Sequence, residues 1–287
     1  MSDATTAAQV STPGSRPLAL AACFAGLALF APVIGWLIHT WSTSVYDAHG
    51  VLVPFLVALM IWSRRRVLAE TTPAPAGVGL WLVSLGSTLL LAALLMNFNL
   101  LGGVALVVTL AGMVWTLWGG AVAAKLAFPL TFLLLMLPLN YPLEIFAGFP
   151  LRLLSVKLTA GLLRLLGFEV TVQGTLIATS QFHVAIESPC SGLKTLSALL
   201  MTGLVMAFFL HQGWRARALM LVLIPPVAVV ANAIRNLAIT LIGHYHGREA
   251  AMGFLHTFSG LAVFLLAVAL LILFSELILW RKKSNSD

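Results

Sequence analysis

Eight apolar stretches, most of them long enough to cross a bilayer, take up most of this sequence. They are expected at about 18–39, 47–62, 78–96, 101–120, 126–140, 190–211, 218–242 and 255–279. A hydrocarbon core takes roughly 20 apolar residues per helix. The second and fifth stretches are short, and Pro129 and Pro138 bound or bend the fifth. Composition agrees: 60% of the 287 residues are hydrophobic and 9% are charged, with a mean hydropathy of +1.03. Soluble domains average about 25% charged residues. The first stretch is too long, and is followed by too many others, to be a cleaved signal peptide. The fold class is therefore an all-α polytopic membrane protein with about eight transmembrane helices.

Lys and Arg set the expected orientation. Arg16, Arg64, Arg65, Arg66, Lys125, Arg215, Arg217, Arg281, Lys282 and Lys283 make ten of the sixteen basic residues, and all fall at alternate ends of the eight spans. Those ends are read as cytoplasmic, with both termini inside a bacterial inner membrane. The net charge of +7 is thus an orienting charge facing the lipid bilayer and implies no nucleic acid. Residues 1–17 read as a disordered polar tail, and 18–283 as one membrane domain.

The outer face carries the 41–50 loop, the 97–100 turn, the 141–189 segment and the 243–254 loop. In the third of these, FPLRLLSVKLTAGLLRLLGF spaces Arg152, Lys157 and Arg164 among leucines. That pattern predicts an extracytoplasmic amphipathic helix lying in the interface; as a ninth span it would carry three cations into the bilayer. EVTVQGTLIATSQFHVAI is β-branched around Gly174, which predicts a small β-hairpin between spans five and six.

The polar residues at the outer ends of three spans carry the chemistry. Cys190 follows Ser188 and Pro189, a favoured N-cap and a favoured first-turn residue. This places Cys190 in the first turn of the sixth span, where the helix dipole and free N–H groups favour thiolate. Lys194, at i+4, adds to that field, and Gly192 lets a backbone or substrate approach. Glu187 either orients a neighbouring polar group or is a solvated loop acid. The plainer alternative for Cys190 is a buried small hydrophobe. A disulfide is not expected, because Cys23 lies seven residues past Arg16, only about 10 Å in from the inner side.

Arg235 lies in VVANAIRNLAITLIG, within the seventh span towards its outer end. An arginine at membrane depth is expensive, about 3 kcal/mol or more, and is a functional candidate by default. Its alternative is a structural arginine answered by carbonyls or by Asn232 and Asn236. His256 opens the eighth span, with Gly260 at i+4 leaving room beside the ring. A thiolate nucleophile, an imidazole acid–base and a fixed cation for an oxyanion make a complete acyl-transfer set. No metal or other cofactor is expected: His244 and His246 pair near His256, but Glu249 is the one acid in that loop. His49 and Asp47 line an outer cavity or cap the second span.

CSGL at 190–193, NxxR at 232–235 and HxxxG at 256–260, in that order, resemble the exosortase/archaeosortase family of polytopic membrane cysteine proteases and transpeptidases. HGVLVP at 49–54, WSRRR at 62–66, and the run from LPLNYPLEIFAGFP through GFEVTVQGTLI are similar too. The resemblance implies a catalytic set of Cys190, Arg235 and His256; Glu187, Gly192, Lys194, Asn232 and Gly260, read from their positions around that set, are expected to support it. The resemblance also implies substrates bearing a C-terminal sorting signal of the PEP-CTERM type: a short motif such as Pro-Glu-Pro, a membrane helix and a basic tail. An amine or water would accept the acyl group at the outer face. The rival reading is a non-catalytic transporter or polysaccharide-export subunit in which Arg235 binds an anion. Against it, no internal repeat is present and the polar residues gather at one face, where transporters place them at midplane. A membrane acyl- or glycosyltransferase would want acidic partners that the outer face lacks.

Overall fold

A computed structural model describes residues 25–44, 46–139, 144–186, 193–210 and 214–284. The chain clusters into two units, Met1–Pro138 and Leu139–Asp287.

In the first unit, small residues let helices touch backbone to backbone. It contains α1 (Ala31–Thr43), α2 (Val53–Ser63), the short α3 (Arg65–Ala69), α4 (Gly79–Leu95), α5 (Asn99–Trp118) and α6 (Gly120–Phe132). Single 3-10 turns, Ala48–Leu52 and Leu133–Met136, lead into α2 and extend α6. A methyl group on Gly79 or Gly86 would strike the hydroxyls of Thr116 and Thr109 respectively, and one on Gly112 would lie 2.7 Å from the amide of Val83. This is the small-residue seam that membrane helices use where the hydrophobic effect gives no drive to associate. Gly50, in the HGVLVP stretch, is required by packing: the Trp41 indole covers its Cα. That indole donates from Nε1 to the Met136 carbonyl at 2.9 Å. Lys125 reaches Thr71 Oγ1 at 2.6 Å, which joins two of the basic ends named above.

The second unit contains α7 (Phe149–Leu165), β1 (Thr171–Gln173), β2 (Leu176–Ala178), β3 (His183–Ala185), α8 (Leu193–Leu210), α9 (Trp214–Met252) and α10 (Phe254–Ser284). A π-helical turn, Glu144–Gly148, opens α7. One core cluster gathers Leu199 and Ala207 of α8, Ile224, Val227 and Ala231 of α9, and Val263, Ala267 and Leu271 of α10. A second joins Val156 and Leu163 of α7 to Ile177, Phe182, Val184, Ile186 and Ile239. Arg217 donates from Nε to the Ala207 carbonyl at 3.2 Å, answering an open group at the C-terminal end of α8.

Among the described residues, three helical stretches are long and apolar enough to cross a membrane, Asn99–Trp118, Trp214–Met252 and Ser259–Leu277, beside four shorter apolar helices. The protein wears apolar side chains outside: Phe55 is 71% exposed, Trp62 63% and Trp214 74%. Such a surface suits lipid, with tryptophans at helix ends beside Arg64–Arg66 and Arg215.

Several boundaries differ from the sequence reading. The fifth span begins at Gly120 instead of about 126. The expected 243–254 loop is largely helical: the long helix of α9 runs past Ile242 and ends at Gly247, where φ is +82°, and a short helical turn follows to Met252. The expected hairpin is a three-stranded antiparallel sheet of order β1-β2-β3. Its second turn is held by Thr179, whose Oγ1 accepts from the Phe182 amide at 3.2 Å. The amphipathic α7 is present, but its buried stripe is Ser155, Val156, Thr159, Ala160 and Leu163, with Leu154 and Leu158 facing outward. The polar tail at 1–17, Cys23, and the capping turn of Ser188 and Pro189 lie outside the described residues.

Candidate functional site

α9 carries the polar residues of the site, and it holds them in a packed environment. Asn232, Arg235 and Asn236 lie within about one turn of each other and are 1%, 8% and 1% exposed. Arg235 Nε donates to Ser259 Oγ of α10 at 2.9 Å. A guanidinium has its donors in a rigid planar fork, so fixing Nε fixes the plane of the group. Ser259 stands three residues after His256, the spacing that stacks residues on one face of a helix. The fold thus brings Arg235 to the turn of α10 next to the one that bears His256. The side chain of His256 itself lies outside the described residues. Beside it, a methyl group on Gly260 would meet nothing within 4 Å among them.

Asn232 and Asn236 were expected as possible partners of Arg235. Their side-chain amides donate to Ser155 Oγ of α7, at 3.0 and 3.1 Å. Thr159, one turn along α7, donates to its own Ser155 carbonyl at 2.8 Å and approaches the Ala233 carbonyl at 3.3 Å. Asn232 and Asn236 are four apart on α9, as Ser155 and Thr159 are on α7, so two polar stripes face each other in an otherwise apolar contact. This network fixes the rotation of α9 about its axis, and with it the direction in which Arg235 leaves the helix. The same pairs of spacings were present in the sequence, where Ser155, Thr159 and Ser259 passed as ordinary small polar residues.

Cys190, Glu187 and Gly192 lie outside the described residues, and of Lys194 only its place in the first turn of α8 is described. The chain on either side is well anchored. Ile186 is buried in the cluster that includes Ile239 of α9. Leu196 and Leu199 of α8 pack with Val227 and Ala231, on the same helix. Four residues separate Cys190 from Ile186 and three separate it from Leu193, spans of at most about 14 and 11 Å. Both anchors rest on the part of α9 that carries Arg235.

The remaining candidates go elsewhere. His244 Nδ1 lies 3.0 Å from Thr179 Oγ1, and its ring meets Phe168 edge-on at 5.0 Å. It braces α9 against the sheet. Among the described residues no group of three His, Cys, Asp or Glu side chains gathers as a metal site would require. In the first unit, Asp47 accepts from Ser44 Oγ at 2.7 Å and its side chain makes no capping bond to the following turn. His49 Nδ1 lies 3.0 Å from the Tyr46 carbonyl.

No curated protein matches the chain, and no solved structure does. A family model described as transmembrane exosortase matches residues 41–273, a stretch that includes Cys190, Arg235 and His256. The protein is therefore a membrane protein belonging to the transmembrane exosortase family.

Proposed function

We propose that the protein is a membrane-embedded cysteine endopeptidase or transpeptidase that cleaves C-terminal sorting signals, of the PEP-CTERM type, from exported proteins at the outer face of the inner membrane. The observation that carries this reading is the bond from Arg235 to Ser259. It fixes a buried cation one helical turn from His256, on a helix against which both flanks of the Cys190 segment pack. Reading Arg235 only as an anion receptor would leave the CSGL and HxxxG residues without a role.

In this mechanism the Cys190 thiolate attacks the scissile carbonyl carbon and forms a C–S bond. The carbonyl oxygen becomes an oxyanion, stabilised by the guanidinium of Arg235 in a low-dielectric setting where a fixed charge counts for most. Collapse of the tetrahedral species breaks the C–N bond, and His256 gives its proton to the departing amine. The thioester remaining on Cys190 is then attacked by an incoming amine or by water, which His256 deprotonates. Collapse of this second tetrahedral species breaks the C–S bond and releases the acyl product, so Cys190 leaves as thiolate, His256 keeps the proton it took, and both return to their starting states. Gly192 and Gly260 leave room for substrate backbone. Glu187, Lys194 and Asn232 support the set, Asn232 through Ser155 and the orientation of α9.

The test is a tagged reporter ending in a Pro-Glu-Pro motif, a membrane helix and an arginine cluster, co-expressed with the protein. The wild type should shorten it, and Cys190→Ala, Arg235→Ala and His256→Ala should not. Equal shortening by Cys190→Ala would remove the nucleophile and return the anion-binding transporter to first place.

A further inference from the structure

The three-stranded sheet ends at Ala185, five residues before Cys190, and among the described residues no strand pairs with the outer side of β3. β3 pairs with β2 in the register Leu176 with Ala185, Ile177 with Val184 and Ala178 with His183. The bonds from Thr179 N to Phe182 O and from Ile186 N to Thr175 O fix which of these pairs exchange hydrogen bonds. In an antiparallel ladder such pairs alternate, so Val184 turns its N–H and C=O towards β2. His183 and Ala185 turn theirs away from it. Both are exposed, while Val184 between them is buried. The opposite edge is poorer. β1 pairs Thr171 with Ala178 and Gln173 with Leu176, which leaves Val172 alone facing outward.

We propose that this outer edge of β3 is the docking strand for the substrate's extended segment, which adds to the sheet as a fourth strand. The inference rests on the peptidase reading above and names where that reaction holds its substrate. Two features favour a peptide substrate as occupant. Ala185 lies five residues before Cys190, a reach of at most about 17 Å, so a peptide paired with β3 brings a bond near it to the thiol. His183 stands exposed on the edge, where its ring can meet an acidic side chain, and the one acid close to β3 in sequence is Glu187, beyond its C-terminal end. Strand addition takes its affinity from main-chain hydrogen bonds and its selectivity from alternate side chains. It also tolerates proline at alternate positions, because those residues turn their missing N–H away from the edge. A Pro-Glu-Pro motif satisfies that condition with the glutamate facing β3.

The experiment uses the full chain in membranes with the same reporter. A benzophenone amino acid replaces His183 or, on the other edge, Val172, and Ala185→Pro is made separately. Proline at 185 removes an outward N–H and leaves the bonds that Val184 makes to β2. We expect photocrosslinks to the reporter's motif from position 183 and none from 172, and processing by Ala185→Pro reduced about ten-fold, the loss of one peptide hydrogen bond. If Ala185→Pro does not accumulate, the crosslink decides. Cleavage by the wild type with no crosslink from 183 overturns the docking strand and leaves the peptidase reading standing. A crosslink from 183 without any cleavage supports the edge and sinks the chemistry. Neither crosslink nor cleavage overturns both.

Discussion

Arg235 is buried, so a hydrogen bond from its guanidinium bears on stability and geometry together. Ser259 answers its Nε. Ser259→Ala should leave that donor short of an acceptor, a loss of about 1–3 kcal/mol, and should slow reporter processing by ten-fold or more while protein still accumulates. Ser259→Thr keeps the hydroxyl and should restore most of the rate; equal rates for Ala and Thr would show that the bond is irrelevant to the reaction. Ser155 differs in kind, since it accepts from two amides at once. Interhelical bonds of this sort contribute about 1–2 kcal/mol each at most. Ser155→Ala should therefore lower the melting temperature in detergent as well as activity, and an unchanged melting curve would contradict the network's role. Arg235 and His256 were legible as single residues because charge and imidazole are rare in apolar helices. Ser155 and Ser259 were not, because a serine shows its importance only through what it faces.

Hydropathy reveals where hydrocarbon begins and says little about where a helix stops. That is why most of the apolar helices were legible while the ends of α6 and α9 were not. The stretch after Ile242 contains His244, His246, Arg248 and Glu249. Those residues suit a helix in water as well as a loop, and the interruption comes at Gly247, the residue type that adopts positive φ without strain. The third strand was missed for a similar reason. Its turn has no Gly, Pro or Asn, and Thr179 supplies the holding bonds. The α4–α5 pair gives the sharpest test at this scale. Leucine at Gly112 would have to displace the backbone of α4 near Val83. Gly112→Leu should destabilise the protein by about 2 kcal/mol or more, read as reduced accumulation and a lower melting temperature. Unchanged stability would mean that the seam is not packed as described.

Several basic residues and tryptophans share helix ends, Trp62 with Arg64–Arg66 and Trp214 with Arg215 and Arg217. Within the first unit Lys125 meets Thr71, just past Arg64–Arg66, and within the second Arg217 closes the end of α8. Alternation of these ends predicts that alkaline phosphatase fused after Arg66 is inactive and that a fusion after Phe168 is active. The reverse pattern would invert the expected orientation and put the proposed catalytic set on the wrong side for exported substrates. The family match spans both units, so neither is an appendage to the other's function.

The proposed chemistry is covalent, with an acyl group carried on Cys190. The direct measurement is the intact mass of the purified protein, in lipid nanodiscs, after brief mixing with a sorting-signal peptide. The wild type should show an adduct equal to the acyl portion, located on Cys190, released by neutral hydroxylamine and absent from Cys190→Ala, which should cut the peptide about a thousand-fold more slowly or worse. Cleavage at the wild-type rate by Cys190→Ala, with no adduct on the wild type, would contradict that chemistry.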